Sequence, residues 1–266
     1  MTPPEPDEEG RIPFVLYNMG GVIVNLVTAA VFVVPSLLLP DSSAPVVFFR
    51  MLVVIALGFA LLNGLPLRLG NVDNDGANTR AMLREPAAVA SFWRMMKIAE
   101  LSSRGVRLRD MPGEWFREPE EGMYSNSIVV SGAVFRLNRL LDEGRYSDAA
   151  REIGAFLARD SAASGLYRSL LTCDLVTCRL LTGGRAEGEF ETKEMTAFRR
   201  SMRNNPSVLR CEIVAALLKD GDPEKAGRLR EQFERLALNY PYPAELEGVR
   251  EILAAAEAAW AERSGS

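Results

Sequence analysis

Between residues 12 and 67 the chain carries almost no charge: Arg50 lies inside one apolar run and Asp41 lies in the break between two. The runs, 13–39 and 46–65, are each long enough to cross a bilayer, which takes roughly 20 apolar residues. Both are apolar on every helical face, so neither offers a side to water, and the surroundings they suit are hydrocarbon rather than one flank of a soluble core. Pro40-Asp41-Ser42-Ser43-Ala44-Pro45 between them is a short polar turn. The pattern predicts a two-helix transmembrane hairpin with both ends on one side of the membrane. A secretory leader is a poor description, because Glu5-Pro6-Asp7-Glu8-Glu9 stands where a basic segment would be needed and the first run is too long.

Basic residues near the span ends set orientation. Arg68, Arg80, Arg84, Arg94 and Lys97 follow the second span and Arg11 precedes the first, whereas the turn at 40–45 has no Lys or Arg. The expectation is a multi-pass protein of the cell membrane with both termini cytoplasmic, Arg50 reaching from the outer end of its helix to the headgroups. With a net charge of −4, nothing global favours nucleic acid as a partner. The three cysteines, Cys173, Cys178 and Cys211, are too few for a disulfide framework and read as reduced, half-buried helix residues.

The first span contains Gly20-Gly21-Val22-Ile23-Val24-Asn25, in which paired glycines permit close approach of another helix and Asn25 can hydrogen-bond across it. The second span ends in Asn63-Gly64-Leu65-Pro66, followed by Asp73-Asn74-Asp75-Gly76. Amides, carboxylates and helix breakers are costly beside lipid unless they line a protected cavity. Taken in order, Gly-Gly-x-x-x-Asn, Asn-x-x-Pro and Asp-Gly resemble the membrane core of the site-2-protease family of zinc intramembrane metallopeptidases. The likeness extends into the tail, through Ser91-Phe92-Trp93, the segment 105–116, Pro206-Ser207-Val208-Leu209-Arg210 and Tyr240-Pro241-Tyr242-Pro243, which look like a bacterial branch with a helical cytosolic tail.

The resemblance implies that Asp75, or less readily Asp73, is the third zinc ligand, that Asn63 positions the substrate backbone or an oxyanion, and that Gly20, Gly21, Asn25, Pro66 and Gly76 belong to the core motif. The gap between Pro66 and Asp75 is longer than in the common form of the motif. Family members hold zinc with a His-Glu-x-x-His helix, and this chain has no histidine. Zinc is therefore expected in a complete family member and not in this chain alone, which should not be an active protease as it stands. A start at Met1 inside a longer reading frame, a split gene, or a pseudoprotease would each account for that.

After Gly76 the pattern is helical. Pro86 sits in the first turn of a helix reaching about Ser103. A turn-rich link over 111–119 carries Trp115 and Phe116, expected to dock on the tail or the membrane face. Arg104, Arg107 and Arg109 make a run suited to anionic headgroups or to a solvated face, and Glu120-Glu121 read as solvated surface. Helical spacing pairs 128–141 with 147–159, where Leu137, Leu140, Leu141, Ala149, Ile153, Phe156 and Leu157 share a core. Gly144, Tyr146 and Ala149 fall at the turn and close-packing positions of a tetratricopeptide-type repeat, and Gly221 and Ala226 repeat that spacing between 208–218 and 225–238. Another helix spans 166–181, stopped by Gly183-Gly184, and the last runs over about 244–262.

The expected fold is all-α: a polar segment 1–12, a membrane hairpin 13–76, a linker with a membrane-proximal helix 77–122, and a tetratricopeptide-like cytosolic domain 123–266. Two functional expectations follow. One is the C-terminal part of a site-2-type metalloprotease, acting on a membrane-protein substrate in its complete form. The other is a membrane-anchored helical scaffold that binds a cytosolic protein partner.

Overall fold

The computed structural model describes residues 3, 5, 12–41, 43–69, 72–186 and 188–264. Most of segment 1–12, Arg11 included, and Ser42 of the turn lie outside the described residues. The chain divides into two compact units, one over 4–90 and one over 91–266 together with 1–3. Among the described residues it is all-α apart from one two-residue ladder.

In the first unit α1 (Phe14–Leu38) and α2 (Ala44–Gly64) pack as a hairpin, and both are long and apolar enough to cross a membrane. Their contact is made through small side chains, with Val22, Ala29 and Ser36 of α1 and Ala56 and Ala60 of α2 buried. Phe32 stacks on Phe49 at 5.6 Å. The other faces carry bare Leu, Val, Ile and Phe, with Leu37, Leu38 and Val54 each at least 70% exposed. Monomeric soluble proteins rarely expose so broad an apolar surface. Arg50 pairs with Asp41 of the turn.

After α2 the chain makes a small antiparallel ribbon, β1 (Arg68–Leu69) with β2 (Val72–Asp73), which helix periodicity did not foretell. Helix α3 (Asp75–Arg84) follows, packed on α1 and α2. Helix α4 (Pro86–Ser103) begins at Pro86, and the division between the units falls within it.

In the second unit three 3-10 turns (Leu108–Asp110, Gly113–Phe116 and Glu121–Ser125) lead into α5 (Ser127–Asp142) and α6 (Tyr146–Ala158). Then come α7 (Gly165–Leu181), the short α8 (Lys193–Ser201), the hairpin α9 (Pro206–Leu218) and α10 (Pro223–Ala237), and α11 (Pro243–Ser264). Helix α9 is apolar nearly all round because it is the central element, touching α7, α10 and α11. Gly144 and Gly221 turn the two hairpins with φ of +70° and +66°, a region that side chains with a Cβ rarely adopt. Ala149 and Ala226 are buried one turn beyond.

Two readings of the sequence are corrected here and a third is narrowed. Arg107 is neither a headgroup ligand nor solvated: it is 5% exposed and bridges Asp142 (2.8 Å to Nε) and Glu251 (2.9 Å), while Arg109 pairs with the same Glu251 and Arg104 with Glu100. Asp142 and Glu251 stand 35 and 144 residues away from Arg107, so nothing in the local run foretold them. The cysteines are fully buried rather than half-buried. Trp115 and Phe116 dock within the helical unit, Trp115 edge-on to Trp93 at 5.6 Å and Phe116 beneath the Arg139 guanidinium at 4.7 Å.

Candidate functional site

The motif residues at the end of α2 are organised around Asn74. Its Oδ1 accepts from Ala77 N (2.9 Å) and from Leu67 N (3.1 Å), capping α3 and holding the returning chain. Its Nδ2 donates to the carbonyls of Leu62 and Leu65, which the breakers Gly64 and Pro66 leave without helical partners. Gly76 lets this knot close: a Cβ there would sit 2.3 Å from the Gly64 carbonyl oxygen. Gly64 in turn lies against Val22, 3.1 Å from where its own Cβ would be.

The close backbone approach of this unit thus falls at Gly64 and Gly76. At Gly20 and Gly21 nothing lies within 4 Å of an added Cβ, and Asn25 makes no hydrogen bond among the described residues. Asp73 pairs with Arg68 at 2.7 Å. Asp75 is the first residue of α3, half-buried, and Asn63 is half-buried in the last turn of α2. Among the described residues no three His, Cys, Asp or Glu side chains are grouped to hold a metal ion. The donor set around Asp75 does not fit zinc, which takes at least three protein ligands in a catalytic site. The cysteines offer no substitute: burial pushes the Cys178 thiol up to about 12 and raises Cys211 well above the ordinary value, so neither supplies a thiolate at neutral pH.

The second unit contains a cavity of about 360 Å³. Single faces of three helices build its walls, with residues recurring at helical spacing: Val134, Asn138 and Leu141 on α5, Tyr167, Leu170 and Leu171 on α7, and Gly248, Val249 and Ile252 on α11. Ile98 and Ala99 of α4 complete the apolar rim.

Its charged lining comprises Asp142 of α5, Asp174 of α7, Arg210 of α9 and Glu245 of α11. Asp174 and Arg210 form a buried ion pair, 5% and 6% exposed. Glu245 Oε2 accepts from the Tyr240 hydroxyl at 2.7 Å. Burial raises both carboxyls above their ordinary values, Asp174 against the pull of Arg210 and Glu245 against the hydrogen bond from Tyr240. Arg210 is thus paired with Asp174, while Glu245, bonded to Tyr240, lines the same cavity. Nearby, Asn205 Oδ1 caps α9 by accepting from Ser207 N (3.0 Å) and Val208 N (3.3 Å).

Arg210 and Tyr240 stand in tail segments that carry the resemblance, but no reading of the sequence joined them with Asp174 and Glu245 in one site. The available signal was one charge in each of two otherwise uncharged helical stretches, Asp174 in Leu170–Leu175 and Arg210 in Pro206–Cys211. A charge so placed is buried with a partner or faces a cavity, and here both hold. Asn74 carried a signal too, since Asn ahead of Asp-Gly is a helix N-cap pattern. No family model, no curated protein and no solved structure matches the chain.

Proposed function

We propose that this chain is a membrane-anchored binding protein whose helical domain holds a segment of a protein partner. The hairpin α1/α2 serves as the anchor in this reading, and the basic residues that follow α2 favour a cytoplasmic side for both of its ends. The hairpins α5/α6 and α9/α10, with glycine turns and buried alanines at matching positions, support a tetratricopeptide-like description, and stacked hairpins of that kind present a concave surface.

The observation that carries the reading is the cavity: its volume, about 360 Å³, is at the low end of ligand pockets and suits one or two apolar side chains. The charged lining selects further. Among the described lining residues Asp142 is paired with Arg107 and Asp174 with Arg210, whereas Glu245 is bonded to the Tyr240 hydroxyl, which favours an apolar segment with one Lys or Arg at its tip to pair with Glu245.

A photoreactive residue at Tyr242 tests this, as Tyr242→p-benzoylphenylalanine in the full chain expressed in its membrane. The expected result is a discrete crosslinked product that disappears when Ala99→Trp fills the cavity and persists in Asp75→Ala. Crosslinking indifferent to Ala99→Trp refutes the binding reading. Loss in Asp75→Ala alone would favour a role for the α2–α3 junction instead.

A further inference from the structure

Helix α3 belongs wholly to the unit that contains α1 and α2. Its start is pinned to the end of α2. A Gly76 Cβ would lie 2.3 Å from the Gly64 carbonyl oxygen, and the Asn74 carboxamide holds the Leu62 and Leu65 carbonyls. Helix α2 has 21 residues, about 31 Å by the usual helical rise, which matches the roughly 30 Å hydrocarbon core of a bilayer. When α2 spans that core, α3 starts at the level of the headgroups.

Gly76, Arg80 and Leu83 recur at i, i+4 and i+7, so they share one side of α3, and it is the side on which α3 meets the end of α2. Arg84 borders it, four residues on from Arg80. Thr79 and Met82, on the adjoining side, are buried. Beyond Gly76 the shared side is bare: Leu83 is 67% exposed, and Arg80 and Arg84 are exposed. Neither guanidinium has an ion pair or hydrogen bond among the described residues. Arg68, Arg107, Arg139 and Arg250, by contrast, each close on a carboxylate. The acid of α3 itself, Asp75, stands in its first turn. An apolar side chain between two uncompensated cations, held at headgroup depth, is complementary to an anionic leaflet. The guanidinium groups suit phosphate and carboxylate oxygens, and Leu83 suits the acyl boundary.

We propose that the Arg80–Leu83–Arg84 side of α3 is a docking surface for anionic phospholipid headgroups of the leaflet from which α2 emerges. The contact rests on the membrane reading of α1/α2 and is independent of the cavity.

The test uses the full chain with Leu83→Cys, the native thiols being buried, in vesicles of phosphatidylcholine alone or mixed with phosphatidylserine. The readout is the rate of labelling by a neutral, water-soluble maleimide. Each basic residue near an anionic surface favours the docked state about fivefold, so phosphatidylserine should slow labelling by roughly an order of magnitude. Adding Arg80→Gln and Arg84→Gln together should bring the rate back to within about twofold of that in phosphatidylcholine, and high salt should do the same. A separate Ala261→Cys chain, labelled on α11, should react equally in both lipids. Labelling at position 83 that is indifferent to phosphatidylserine, in a chain that stays in carbonate-washed vesicles, overturns the contact. So does slowing that survives loss of both arginines, that Ala261→Cys shows equally, or that inorganic phosphate reproduces in phosphatidylcholine vesicles. Extraction of the chain by carbonate overturns the membrane reading and this contact with it.

Discussion

Asp174 and Arg210 offer the sharpest test of how the helical domain is held together. Both are nearly inaccessible, on α7 and α9. Removing one member of a buried ion pair leaves the other uncompensated, typically at about 3–5 kcal/mol. The two removals should not be equal. Asp174→Leu strands a guanidinium that cannot give up its proton, so the full cost is expected at every accessible pH. Arg210→Met strands a carboxyl that burial already raises, so it can take up a proton and become neutral. The native state then binds a proton that the unfolded chain does not, and stability rises as pH falls from neutrality towards the ordinary Asp value of 3.8. Arg210→Met should therefore cost clearly less than Asp174→Leu, with the gap widening in acid. The Arg210 Nε is buried with no hydrogen-bond partner among the described residues, so the pair is incompletely compensated. The double variant should accordingly lie within about 1 kcal/mol of wild type, or above it. Urea unfolding of the full chain in detergent, followed by tryptophan fluorescence from pH 5 to 8, measures all four corners of the cycle. Equal, pH-independent losses in the two single variants would refute the reasoning, as would a double variant as unstable as the sum of the singles.

Two further outcomes can be checked on the same preparation. Burial holds the Glu245 carboxyl above its ordinary value of 4.5, so ionising it at neutral pH works against folding. Glu245→Gln, which keeps an acceptor for the Tyr240 hydroxyl, should raise Tm at pH 7, and the advantage should vanish as pH falls towards 4.5; an equal advantage at both ends would show that the charge is not its source. Gly76→Ala gains ~1 kcal/mol of helix propensity but places a Cβ 2.3 Å from the Gly64 carbonyl oxygen, a backbone atom with nowhere to retreat. The overpacking cost should reach the upper end of the roughly 1–3 kcal/mol range and lower Tm, and an unchanged or higher Tm would mean that the α2–α3 junction is not closed in this way.

Local pattern was enough for most of the helices, since each is bounded by residues that act on their own neighbourhood: Pro86 and Pro206 open helices, Asn126 caps α5, and Gly144 and Gly221 end them. The apolar hairpin was legible for a similar reason, because two long runs without charge on either side of a short polar break are marked by composition alone. The ribbon over 68–73 was not, as two-residue strands leave no periodicity to detect.

The candidate site was legible only in fragments. The segment 63–76 stood out by composition, yet its organising residue is Asn74 rather than Asp75, because four groups 3 to 12 positions away converge on that one carboxamide. Arg107 read locally as part of a basic surface and turned out to be buried between Asp142 and Glu251. By itself the sequence determined most of the helical segments and which of them are long and apolar enough to cross a membrane, since both depend on residues within a turn or two of each other. Only the tertiary structure decided which charges share a cavity: Asp174, Arg210 and Glu245 come from three helices, and their meeting depends on how α7, α9 and α11 pack, a relation no local spacing encodes.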